Sequence, residues 1–296
     1  MVVFSIYISC GVDNGRQRLC NTAGYCYAGL LPPPCTYKKS DAKIVRTVDG
    51  DDICMMWTAP FSVLQDMSTC TIDQYHEGQT CILFSHGNAE DLACIKSFTQ
   101  WLADKTMCNV VSYDYVGFGH SSPGIPTEDN MKVALETVYA HMTSTLKIPC
   151  KQILLFGRSI GSCPTIAFAS QSYCDCMGVM LLSPLASGIR TVLKPRTVGT
   201  KLCNLLDYVF CPNVHYIHKI KAPICIIHGT ADAVVPLHNA IELQAAVNPA
   251  VESTLVQIVG AGHNNITTDF SEKLSMHFET FMTTCKVDCL TLEEYS

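Results

Sequence analysis

No stretch of this 296-residue chain reaches the ~18 consecutive apolar residues of a membrane span, so none is expected. Basic residues are scarce, with 20 Lys and Arg against 26 Asp and Glu and a formal charge of −6. Binding to phosphate backbones needs a basic face, which excludes nucleic acid as the main partner. The opening MVVFSIYIS has no basic n-region and no credible cleavage site, so no secretory signal is expected. No C-x-x-C pair occurs, which removes zinc and thioredoxin-type motifs. Internal repeats and low-complexity tracts are also missing.

What is present is material for a core. The chain is 48% hydrophobic and 16% charged, a globular composition that fits one large α/β domain or two smaller ones. Its 18 cysteines are unusual for a chain this size without an export signal, and they read as reduced and intracellular. Cys81, Cys163 and Cys225 lie in apolar runs, where a thiol behaves as a small hydrophobe. Cys10, Cys20, Cys26 and Cys35 lie outside any periodic segment. Two readings of these four stand: an acylated membrane anchor, or a cysteine-rich leader with no such role.

From residue 80 onward, short apolar runs alternate with helical periodicity. TCILFSHG, CNVVSYDYVG, QILLFG, GVMLLSP, APICIIHG and STLVQIVGAG read as strands. Leu92, Ile95, Phe98 and Leu102 mark one helix face, and Met131, Leu135, Val138 and Met142 a second. Further helices are expected at 236–247 and 268–285. Strands apolar on both faces, alternating with amphipathic helices, predict a mostly parallel sheet covered on both sides. The expected organisation is a leader at 1–40, a domain at 41–285 and a tail at 286–296. Residues 184–221 separate two strands by more than a usual connection and read as a lid-like insert. The insert carries Arg190, Lys194, Arg196, Lys201, Lys219 and Lys221 beside an apolar stripe. It is either a membrane-facing lid, gaining ~1 kcal/mol per basic residue at an anionic leaflet, or a solvated basic loop.

Gly157-Arg158-Ser159-Ile160-Gly161 fits G-x-S-x-G between a strand and a helix, the context in which a sharp turn presents a serine for chemistry. A serine hydroxyl needs a base, and the base needs an orienting carboxylate. Asp232 in IIHGTADAVV and His263 in VGAGHNN each follow a strand and occur in the order serine, acid, histidine. Asp114 in SYDYVG is the rival acid, on a strand that breaks that order. A tetrahedral intermediate needs two N–H donors, supplied by Ile160 and by Asn88 in FSHGNAED. His228 reads as a brace for the Asp232 loop, while His76, His141, His238 and His277 read as solvated. No metal or organic cofactor is expected. Asn265-Ile266-Thr267 is a sequon beside His263, where a glycan would obstruct the site, so a cytosolic location is expected.

FSHGNAEDL, YDYVGFGHSS, FGRSIGS, SPLASGIR, IIHGTADAVV and GAGHNNI together resemble the α/β-hydrolase domain-containing protein 17 family, over residues 30–282. The resemblance implies the α/β-hydrolase fold and a palmitoyl-protein thioesterase. Ser159, Asp232 and His263 match its triad, and Asn88 and Ile160 match its oxyanion positions. Implied substrates are S-acylated proteins. Implied location is peripheral, on the cytosolic face of plasma or endosomal membranes. The family's tight N-terminal cysteine cluster is here spread over Cys10 to Cys35, and the 184–221 insert is longer than is typical. The alternatives are a monoacylglycerol lipase or carboxylesterase acting on acyl-ester lipids, and a non-catalytic scaffold.

Overall fold

The computed structural model describes residue 30, residues 32–62, 80–193 and 197, and residues 199–293. The expectations for Cys10, Cys20, Cys26, His76, Lys194 and Arg196 lie outside the described residues. Eight strands form one sheet: β1 (Lys43–Arg46), β2 (Asp52–Thr58), β3 (Cys81–Ser85), β4 (Asn109–Tyr113), β5 (Ile153–Arg158), β6 (Gly178–Leu182), β7 (Ile224–Gly229) and β8 (Ser253–Ile258). Their order is β1-β2-β4-β3-β5-β6-β7-β8. The β1–β2 and β2–β4 pairs are antiparallel and the others parallel. The α-helices are α1 (Lys96–Thr106), α2 (Glu128–Ala140), α3 (Ser162–Ala169), α4 (Thr200–Leu206), α5 (His238–Ala246) and α6 (Ser271–Glu293). This is the α/β-hydrolase fold that the motifs imply.

Alternation along the central strands builds two cores, because successive side chains leave a strand on opposite faces. Leu83, Leu155, Val179 and Leu181 face α2, α3 and α5, meeting Met131, Leu135, Val138, Ile166 and Leu243. Ile82, Phe84, Leu154, Phe156 and Met180 face α1 and α6, meeting Leu102, Leu274 and Phe278. Phe84 and Phe156 are paired across β3 and β5 and stack at 4.8 Å, with Phe278 edge-on to Phe156 at 5.0 Å. Each such fully buried ring contributes about 1.5–3 kcal/mol over an exposed one. The packing fixes the strands in register, and with them the loops at their carboxyl ends.

Three features depart from the sequence reading. β1 and β2 were not expected: β1 buries only Val45, too little for a period-2 signal, and it lies at the sheet edge. Leu92 and Ile95 are buried in turns ahead of α1, and α6 continues past residue 285. The reduced-thiol reading is corrected for one pair, since Cys163 of α3 and Cys211 of the insert form a disulfide. They are 48 residues apart, so only the docking of the insert on α3 brings them together. Cys54 and Cys225 are buried free thiols.

The 184–221 insert folds as α4 and several 3₁₀ turns. Arg190 is not a surface cation. It is buried, bonding Asp207 through Nε at 2.8 Å and Nη2 at 2.6 Å, and it also pairs with Glu242. Ser187 and His215 complete the shell of Asp207 at 2.6 and 2.9 Å. Burial pushes this carboxyl up, but Arg190, Ser187 and His215 outweigh it and hold it below the usual value. Outward, the insert exposes Val192, Leu202, Leu205, Tyr208 and Val209.

Candidate active site

Ser159 follows the last residue of β5 and opens a single 3₁₀ turn, Ser159–Gly161, that leads into α3. Its φ is +53°, a left-handed conformation that a residue with a Cβ adopts only under constraint. The constraint is close packing. A Cβ on Gly161 would lie 2.1 Å from the Ser85 carbonyl oxygen, so only glycine lets the turn rest against the end of β3.

Asp232 lies just past β7 and His263 in the loop after β8. The His263 Nε2 is 3.0 Å from Ser159 Oγ, and its Nδ1 is 2.7 Å from Asp232 Oδ2. The carboxylate fixes the tautomer: Nδ1–H donates to Asp232, leaving Nε2 to accept the serine proton. Asp232 Oδ1 accepts the N–H groups of Val234 and Val235 at 2.9 and 2.8 Å. Burial raises the Asp232 carboxyl, but the His263 bond and charge, the Val235 N–H and His228 together bring it below its ordinary value. His228 braces this loop as expected, with Nε2 2.8 Å from the Val235 carbonyl. Burial lowers its imidazole pKa, against the raising effect of the Val235 carbonyl and the Asp232 charge.

The His263 loop is braced by Asn265, whose Oδ1 accepts the Gly262 N–H at 2.8 Å while its amide donates to Asp269 at 3.1 Å. The sequon asparagine is therefore engaged in holding the loop. His141, His238 and His277 are half-buried rather than solvated, and His238 Nε2 is 2.8 Å from the Arg190 carbonyl. Asp114 does not compete for His263. It faces His86 and Tyr37 instead.

Ile160 follows the serine on the elbow turn, and Asn88 lies in the loop after β3, against which that turn packs. The structure thus gathers all five expected residues at neighbouring strand ends. Sequence reasoning missed the residues that tie the loops. Arg158 pairs with Glu90, and Glu90 Oε2 accepts the Gly87 N–H at 2.8 Å. Arg158 also reaches Asn264, beside His263, at 3.4 Å. Their signal was positional only, as residues lying within GRSIG, HGNAED and GHNN.

Among the described residues no group of three or more His, Cys, Asp or Glu is placed to hold a metal ion. No described helix is long and apolar enough to cross a membrane. A serine hydroxyl, an imidazole and a carboxylate in series can deliver a nucleophile to an acyl carbon and return the proton to the leaving group.

Residues 76–214 match the family model described as serine aminopeptidase, S33. The chain is 38% identical over 185 residues to an α/β-hydrolase domain-containing protein 17C of Xenopus tropicalis, covering 62% of this chain and 56% of that protein. It is 37% identical over 185 residues to α/β-hydrolase domain-containing protein 17B of Homo sapiens, covering 62% and 60%. The matched region thus spans less than two thirds of these relatives. Among solved structures, the Pyrococcus furiosus esterase Pf2001 superposes with a TM-score of 0.66 at 17% identity, over 90% of this chain and 100% of that one. A Paleococcus ferrophilus monoacylglycerol lipase gives 0.55 at 16%, over 79% and 99%. At such identities these structures establish the fold.

Proposed function

We propose that this chain, which has the α/β-hydrolase fold and is a relative of the α/β-hydrolase domain-containing protein 17 proteins, is a serine hydrolase of acyl thioesters. The reading rests chiefly on the Ser159–His263–Asp232 series at 3.0 and 2.7 Å. His263 Nε2 takes the Ser159 proton as Oγ attacks the acyl carbon. The oxyanion is received by the N–H groups of Ile160 and Asn88. The thiolate leaves with the proton carried by His263, and Ser159 remains acylated. Water then gives a proton to His263 and attacks the acyl-serine, releasing a carboxylic acid and restoring the hydroxyl. The substrate we favour is palmitate on protein cysteines, supported by the resemblance of the six ordered motifs to that family and by 37–38% identity to its proteins over 185 residues. Ser159→Ala should abolish both fluorophosphonate labelling and turnover of a palmitoylated peptide; a variant that keeps most of its activity refutes the assignment.

An oxyester substrate is the second reading, since the same series of groups serves both bond types. Parallel assays on a palmitoylated peptide and on a monoacylglycerol separate the two by their kcat/KM values. Peripheral membrane contact is proposed through the insert, and the support is its exposed Leu202, Leu205, Tyr208 and Val209. The charge argument is weaker than the sequence suggested, because Arg190 points inward. Flotation with anionic and neutral liposomes tests it: absence of binding to either opposes the contact.

A further inference from the structure

Gly87 is held from both ends. Its N–H donates to Glu90, as above, and its carbonyl oxygen is 2.8 Å from Nδ1 of His86. The other nitrogen of that imidazole, Nε2, is 3.3 Å from Asp114 Oδ1, and both side chains are fully buried. Asp114 Oδ2 accepts the Tyr37 hydroxyl at 2.6 Å. Gly119, at φ +52°, makes room for this carboxylate, since a Cβ there would fall 1.9 Å from Oδ2. Tyr115 covers the imidazole at 4.4 Å, and its hydroxyl donates to the His86 carbonyl at 2.8 Å.

Nδ1 thus faces the Gly87 carbonyl at hydrogen-bond distance, and Nε2 faces the Asp114 carboxylate at 3.3 Å. Burial lowers the imidazole pKa, but the hydrogen bond and charge of Asp114, the Gly87 carbonyl and Glu90 outweigh that and raise it. A buried ion pair is a poor route to stability, because apolar residues of the same volume commonly do as well or better. Orientation is what it does supply. In a trans peptide the carbonyl and the N–H point in opposite directions. Anchoring the Gly87 carbonyl on His86 therefore aims the Asn88 N–H away from the imidazole and prevents the peptide from turning its carbonyl outward.

We infer that His86, held by Asp114 and Tyr37, is a positioning residue that sets the Gly87–Asn88 peptide so that Asn88 presents its N–H to the oxyanion. This rests on the proposed acyl-serine chemistry and deepens it. It also gives Asp114 a function other than orienting the catalytic base, and it extends the site to Tyr37, in the segment that the sequence marks as leader.

The test compares wild type, Ser159→Ala, His86→Leu, His86→Asn and Tyr37→Phe on a p-nitrophenyl ester and an acyl thioester. Each is also titrated with an aliphatic trifluoromethyl ketone, whose tetrahedral adduct carries an oxyanion. His86→Leu should lose on the order of 10²-fold in kcat, the scale of one oxyanion donor, with KM nearly unchanged. Its affinity for the ketone should fall in proportion. His86→Asn restores a donor to the Gly87 carbonyl and should recover most of the loss, and Tyr37→Phe should show a several-fold fall in kcat alone. A folded His86→Leu with wild-type kcat or wild-type ketone affinity overturns the inference. If that variant does not fold, an unchanged kcat in Tyr37→Phe overturns it. A wild-type protein inert to both substrates and to the fluorophosphonate sinks the hydrolase reading itself, whereas active wild type with unaffected variants sinks only the positioning.

Discussion

Gly161→Ala tests the elbow more directly than removing the serine does. The added Cβ would sit 2.1 Å from the Ser85 carbonyl oxygen and 2.7 Å from that of His86, where ordinary contact starts at 3.4 Å. The backbones must therefore separate by about 1.3 Å. β3 cannot supply that movement, since it is hydrogen-bonded to β4 on one side and β5 on the other. The Ser159–Gly161 turn must yield, carrying the Ser159 hydroxyl and the Ile160 N–H with it. A displacement of ~1 Å at a reacting group reduces rate by about 10²-fold. Overpacking a tight contact destabilises by roughly 1–3 kcal/mol, and each kcal/mol lowers Tm by about 2–4 °C in a chain of this size. The assay is the second-order rate of fluorophosphonate acylation, read beside a thermal melt. Acylation within twofold of wild type at an unchanged Tm would refute the claim that glycine is required there for close approach.

Other consequences follow from single contacts. Replacing Cys163 and Cys211 by serine together should lower stability by up to ~4 kcal/mol, the loop-entropy value for a 48-residue separation; the urea midpoint of the variant and of reduced wild type should then agree. Arg190→Met strands Asp207 as an uncompensated buried charge and should destabilise by about 3–5 kcal/mol, whereas the Arg190→Met/Asp207→Leu pair should recover most of it in the same urea assay. Burial and then Asp129 raise the Glu128 carboxyl to about 7, so its ionisation opposes folding. The folded state holds that proton more tightly, and stability falls as pH rises from the ordinary carboxylate value through about 7. Glu128→Gln should accordingly melt higher than wild type at pH 8, and the gap should close by about pH 4.

The alternating apolar runs from residue 80 determined the parallel sheet and its two helical covers, because burial on both faces leaves a local signature. The order of Ser159, Asp232 and His263 was legible for a related reason: Ser159 directly follows β5, Asp232 and His263 lie in the loops after β7 and β8, and parallel strands bring their carboxyl ends to one rim. Contacts between distant segments leave no such trace. The antiparallel β1–β2 edge, the Cys163–Cys211 bridge and the inward Arg190 became visible only once the chain was packed. The same holds for the task of Asp114. In sequence it is one more carboxylate at the end of a strand, and only the neighbours that folding brings to it, His86 from β3's end and Tyr37 from far upstream, decide which imidazole it faces.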